Sequence, residues 1–169
     1  GMDYLIESLN RLLADDPSLR ERAVVAILGG QAEEIAERLP MEAYPLGYVS
    51  ETKRIVAIYS AVDLFVTPSL SDNLPNTIME AMACGVPCVG FKVGGIPEMI
   101  DHLKNGYVAN YCDAADFANG IRWVLAEADW NELSAACLRK VHTCYSLTSV
   151  SLRYTELYSQ ALASKNYKI

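Results

Sequence analysis

Apolar residues at Tyr4, Leu5, Leu9, Leu12 and Leu13 recur with helical spacing, so the stretch Tyr4 to Ala14 reads as a helix that Asp15-Asp16-Pro17 ends. Ala23 to Leu28 is a short apolar run entering Gly29-Gly30, the pattern of a buried parallel strand. A polar helix follows from Gln31 to Leu39, and Tyr44 to Leu46 reads as a second brief strand. Ser50 is placed to cap a helix running to about Ala61, with Lys53 where a capping box prefers Glu or Gln. Leu64 to Thr67 is the third strand. Pro68 to Pro75 is a loop of turn formers, and a helix from Asn76 to Cys84 has Gly85 at its C-cap. Val86 to Val89 is the next strand. Gly94-Gly95-Ile96-Pro97 is a turn, and Glu98 to Asp101 one helical turn. Asn105-Gly106 signals a turn before the last strand, Tyr107 to Ala109. Three helices close the chain: Ala114 to Ala126, Asn131 to Cys144 and Thr148 to Ala163.

Strands separated by helices imply an α/β fold: a doubly wound, Rossmann-like parallel sheet covered on both faces. Ligands in such sheets bind at the carboxyl ends of the strands. The loops of interest are therefore Gly29-Gly30, Gly47 to Ser50, Pro68 to Pro75 and Gly94-Gly95. The chain opens on a helix where such sheets usually open on a strand, so a preceding strand is expected to be missing. Gly1 reads as a cloning remnant.

With 169 residues, residues 1–169 are expected to form one domain with a sizeable core. Hydrophobic residues make up 51% and charged residues 21%, an ordinary globular balance, and no run approaches the ~20 apolar residues of a membrane span. No secretory leader is visible at Gly1-Met2-Asp3-Tyr4. The net charge of -7, without a Lys/Arg cluster, argues against nucleic acid as a partner. Five cysteines, at 84, 88, 112, 137 and 144, form no zinc pattern and read as free, buried thiols of a cytoplasmic protein. His102 and His142 read as solvent-exposed. Gly29-Gly30-Gln31 does not fit Gly-x-Gly-x-x-Gly, and no Gly-x-Ser-x-Gly elbow or Asp-x-Asp pair is present, so a dehydrogenase, a hydrolase and a metal-bridged site are all disfavoured.

The segment Pro68 to Ala83 carries the chemistry. A loop leads into a helix N-terminus, whose unpaired N–H groups and dipole favour an anion such as a diphosphate. Glu80 sits among Ile78, Met79, Ala81 and Met82, and reads as a carboxylate buried in an apolar helix. Such a group needs hydrogen bonds, and the paired hydroxyls of a ribose offer two. Asp72 lies in the preceding loop, within reach of a sugar beyond the diphosphate. Other readings stay open: Asp72 or Asn73 as a helix cap, Glu80 paired to a core Arg or Lys, Asn76 and Thr77 as ordinary N-terminal residues.

This segment resembles the acidic E-x7-E signature of retaining GT-B glycosyltransferases, especially the GT4-like group. The likeness extends from Tyr59 to Val108, through Tyr59-Ser60-Ala61-Val62-Asp63-Leu64-Phe65-Val66-Thr67-Pro68-Ser69, Glu80-Ala81-Met82-Ala83-Cys84-Gly85-Val86-Pro87, Gly94-Gly95-Ile96-Pro97-Glu98 and Asn105-Gly106. It implies that the chain is the C-terminal, donor-binding half of a two-domain enzyme. Glu80 would bind the nucleotide ribose, and Asp72 the donor hexose hydroxyls. Asn73, Leu74 and Pro75 would bring backbone amides to the sugar and diphosphate. Asn76, Thr77 and Ile78 stand at the helix start beside the phosphates, Tyr48 and Val49 would flank the base, and Gly29 and Gly30 would border the cleft. The donor would be a UDP-, GDP- or ADP-sugar, with no cofactor and no metal. The acceptor, a glycan or lipid-linked glycan, would bind an N-terminal domain, which would also carry any membrane contact.

Two departures qualify the likeness. Asp72 stands where Glu is common, and Asn73-Leu74-Pro75 replaces a Gly-Phe-Gly-Leu-Pro loop; the variant looks like that of enzymes building bacterial surface polysaccharides. Family members also carry an Arg and a Lys-Gly just ahead of the helix that Met2 begins, so this stretch alone is expected to be inactive. Two rival readings are a nucleotide-sugar 2-epimerase, which needs further acids and a His that segment 72–80 lacks, and a non-catalytic nucleotide-binding module.

Overall fold

The computed structural model describes residues 1–164. The first helix, α1 (Met2–Asp15), is followed by a short α2 (Leu19–Arg22), β1 (Val25–Leu28), α3 (Ala32–Arg38), β2 (Ala43–Gly47), α4 (Thr52–Ser60) and β3 (Phe65–Thr67). Then come α5 (Asn76–Ala83), β4 (Cys88–Phe91), α6 (Ile96–Met99), β5 (Gly106–Ala109), α7 (Ala114–Arg122), a π turn (Trp123–Glu127), α8 (Trp130–Cys144) and α9 (Leu147–Ser164). Each predicted strand and long helix has a counterpart within a few residues. Three local expectations shift. Glu51, not Ser50, precedes α4, and no side chain caps it. The helical turn expected at Glu98 begins at Ile96, because Pro97 suits the first turn of a helix. The helix from Ala114 widens after Arg122 into a π turn closed by Ala128 N donating to Trp123 O at 2.9 Å.

All strand pairs are parallel, but they form two hydrogen-bonded sheets, β2-β1 and β3-β4-β5, rather than the one continuous sheet expected. In β4, the centre of the larger sheet, alternation sorts side chains to two faces. Val89 and Phe91 join Leu5, Leu9 and Leu12 of α1 and Phe117 and Ile121 of α7. Cys88 joins Ile78, Ala81 and Met82 of α5, Ile96 and Met99 of α6, and Cys137 of α8. Helices therefore cover both faces, as a doubly wound fold requires. Phe91 anchors the first cluster, with its ring 4.7 Å from that of Phe117 and 5.7 Å from that of Tyr4.

Polar groups lock this arrangement. Buried Asn105 accepts from Asp101 N at 2.8 Å and donates to Met99 O at 3.2 Å, which satisfies the turn that feeds β5. Lys140 of α8 pairs with Asp101 at 2.8 Å. Buried Ser8 of α1 donates to Ala114 O at 2.8 Å.

The smaller sheet differs. Strand β1 alternates between half-buried and exposed, so the expected burial of Ala23 to Leu28 does not hold. The reason is coverage: among the described residues no strand pairs with the edge of β1 that β2 leaves open. Gly1 packs against the end of β3: a Cβ on it would lie 1.6 Å from Pro68 O. Of the five free thiols, Cys88 and Cys137 are buried, and burial pushes both upward in pKa; Cys84, Cys112 and Cys144 are half-exposed. His102 and His142 are exposed, as predicted.

Candidate functional site

The candidate residues gather at the carboxyl ends of the strands in two groups, one on each sheet. On the smaller sheet, Gly29 follows β1, and Tyr48 and Val49 follow β2. Gly29 N donates to Gly47 O at 2.9 Å and so ties the two turns together. Gly29 has φ of 140° and Gly47 of 65°, conformations that favour glycine. Gly30 is exposed, Val49 is half-buried, and Tyr48 is 83% exposed, a free aromatic face beside the turn.

On the larger sheet, β3 runs into the loop that carries Asp72, Asn73, Leu74 and Pro75. Thr67 and Ser69 hydroxyls lie 3.1 Å apart at its base, and Tyr111 Oη donates to Leu70 O at 3.2 Å. The loop rests on Gly94 and Gly95. A Cβ on Gly94 would sit 1.7 Å from Asp72 O, and one on Gly95 2.0 Å from Asn73 O. Only glycine permits these loops to stack. Sequence reasoning marked this turn but did not assign the two glycines to the site. Their Gly-Gly-x-Pro pattern was the available signal, but it does not say which loop they support.

Helix α5 begins where this loop ends. Its N-cap is Pro75, which is buried and offers no side-chain acceptor. Neither Asp72 nor Asn73 caps it. By contrast, Asp113 caps α7 by accepting from Ala115 and Asp116 amides, and Asp129 caps α8 in the same way. The amides at the start of α5 thus keep no side-chain partner, and the helix end remains available to an anion.

One face of α5, with Ile78, Ala81 and Met82, is buried; the other, with Asn76, Thr77 and Glu80, is exposed. Glu80 is therefore not a carboxylate sunk in an apolar helix. The period of 3.6 turns it away from its apolar sequence neighbours and aligns it, one turn on, with Asn76 and Thr77. It forms no ion pair among the described residues, so the reading of a core Arg or Lys partner does not hold. The phenol of Tyr59 donates to Glu80 Oε2 at 3.4 Å. Asp72 is half-buried in the loop, while Asn73 and Leu74 are exposed. The start of α5, free of any side-chain cap, thus lies between two carboxylates in the chain, half-buried Asp72 before it and exposed Glu80 one turn along it. Among the described residues no three His, Cys, Asp or Glu side chains lie close enough to hold a metal ion.

Residues 1–127 match the family described as glycosyl transferases group 1. The chain belongs to this family. It is 31% identical over 145 residues to a D-inositol 3-phosphate glycosyltransferase of Thermobifida fusca (strain YX), covering 79% of this chain and 33% of the relative. Its counterpart in Geodermatophilus obscurus is 33% identical over 138 residues, covering 75% and 31%. The chain thus spans about a third of the length of these curated relatives. Among solved structures, a glycosyltransferase from Rickettsia africae superposes with a TM-score of 0.74 at 20% identity, covering 98% of this chain and 45% of that one. HepE of Anabaena, solved in complex with UDP, gives a TM-score of 0.73 at 20% identity, covering 90% and 44%. The fold is the Rossmann-like half of a GT-B glycosyltransferase. No described helix is long and apolar enough to cross a membrane.

Proposed function

We propose that residues 1–169 form the donor-binding domain of a retaining glycosyltransferase that moves a hexose from a nucleoside diphosphate sugar to a hydroxyl of a growing glycan. The observation that carries this reading is the exposed face of α5. Its start is left uncapped by any side chain, Asp72 precedes it, and Glu80 stands one turn along it. The diphosphate would rest on the α5 amides, Glu80 would accept from the ribose hydroxyls, and Asp72 from the hexose. Asn73, Leu74, Asn76 and Thr77 would shape the pocket, Ile78 would not line it because its side chain is buried in the core beneath α5, and Tyr48, Val49, Gly29 and Gly30 would border the base.

Catalysis would then be positioning, together with stabilisation of the departing diphosphate by helix amides and basic groups, without a metal. The reaction would take place in the cytoplasm and serve polysaccharide synthesis. The acceptor site would lie in a second domain, so residues 1–169 alone are expected to transfer no sugar.

UDP in HepE and UDP-glucose in a further HepE complex are consistent with a nucleotide-sugar donor of this kind. The test is a calorimetric screen of the full-length protein against UDP-, GDP- and ADP-sugars. One of the three series should bind with micromolar affinity, and binding of none would end the proposal.

A further inference from the structure

Glu80 and Tyr59 lie on different helices, α5 and α4, yet they meet. Tyr59 is 4% exposed. Its ring is fixed edge-on to Phe65, with centroids 5.8 Å apart at 73°. Its hydroxyl emerges from this packing beside Glu80 Oε2, at 3.4 Å. Glu80 itself is exposed, and among the described residues its carboxylate has no other hydrogen bond and no ion pair. An exposed glutamate rotates among many conformers, and binding a ligand must freeze them.

We propose that Tyr59 is a positioning residue: its buried phenol holds the Glu80 carboxylate in one orientation, so that the remaining lone pairs are set to accept both ribose hydroxyls of the donor. This rests on the reading of Glu80 as the ribose acceptor. Tyr59 is suited to the task because it is rigid and remains a donor. Burial, and next the Glu80 charge, push its phenol well above the usual tyrosine range, so the proton stays in place at any physiological pH. The tether leaves both lone pairs of Oε1 and one of Oε2 free, enough to accept both hydroxyls of a diol.

The test is Tyr59→Phe in the full-length protein, which keeps the packed ring and removes only the donor. Calorimetry would use whichever of UDP, GDP and ADP the unmodified protein binds most tightly, its 2′-deoxy counterpart, and inorganic pyrophosphate. The ribonucleotide should bind about 5-fold more weakly, the scale of one net hydrogen bond. Preference for ribose over 2′-deoxyribose should shrink, while pyrophosphate affinity should not change, which also shows that the fold is intact. In the Tyr59→Phe background, Glu80→Gln should cost less than it does alone. Unchanged ribonucleotide affinity and ribose preference, with Glu80→Gln still harmful, would overturn the role of Tyr59 and spare that of Glu80. If Glu80→Gln is harmless too, the ribose reading itself falls. A loss shared equally by pyrophosphate would mark a packing role and would also overturn the proposal.

Discussion

The two sheets are built from the same kind of parallel strand but live in different surroundings. All four residues of β4 are buried, with strands on both sides and helices on both faces. Among the described residues strand β1 pairs only with β2, and neighbouring apolar residues stay open to solvent, with Val24 56% and Tyr44 50% exposed. Burial thus follows from coverage rather than from strand composition. An apolar strand is a core strand only where other elements close over it. The two groups of candidate residues inherit this difference. The Asp72–Glu80 group stands on a firm base, and the Tyr48–Val49 group on a lightly held one.

The sharpest way to break this comparison is to truncate one aromatic in each sheet. Phe91→Ala should destabilise by about 3–5 kcal/mol, the usual cost of emptying a packed aromatic site. Tyr44→Ala should stay within about 0.5 kcal/mol, as exposed positions do. Urea unfolding measures both, and similar losses would erase the distinction. Next in size is the site itself. Glu80→Gln should weaken donor binding by roughly 1.5–3 kcal/mol, the scale of a charge-assisted hydrogen bond, with the melting temperature unchanged. Titration with the donor nucleotide measures it, and full affinity would remove Glu80 from the site.

Glycines offer a third comparison. Gly95→Ala places a Cβ 2.0 Å from Asn73 O and should cost about 1–3 kcal/mol while displacing the Asp72 loop. Gly30→Ala meets nothing within 4 Å and should be near neutral. Chemical denaturation and nucleotide binding of the two variants would separate them, and equal effects would show that the loops do not stack as described.

The smallest effect is electrostatic. Burial alone would lower the Lys140 pKa, but the hydrogen bond and charge of Asp101 outweigh it and hold the ammonium above its ordinary value. A raised lysine stabilises the fold at any pH below its unfolded pKa, and that contribution fades as pH rises through the folded value. With Asp101 46% exposed, Lys140→Met should cost no more than about 0.5–1 kcal/mol at neutral pH, and the difference should vanish in strongly alkaline solution. A difference that grew with pH would reverse the assignment.

Much of this was legible in the chain. The helical stripe of α1, the Gly85 stop after α5 with φ of 76°, and the glycine and proline turns located the elements. The spacing of Asp72 and Glu80 picked out the candidate site. Less visible was the direction of side chains. Glu80 looked buried because its sequence neighbours are apolar, yet helical rotation puts it on the outer face. The short α2 carries no buried residue and left no apolar stripe to read. The pairing of Tyr59 with Glu80, and of Gly94 with the Asp72 loop, joins positions about twenty residues apart, which local periodicity does not encode.

By itself, then, the sequence determined the order and kind of the elements and the types of group placed at strand ends, because hydrophobic period and turn chemistry act over a few neighbouring residues. Tertiary structure alone decided which strands were covered, which helix start was left without a cap, and which carboxylate met a phenol. Those outcomes depend on contacts between segments far apart in the chain, and only the folded packing brings them together.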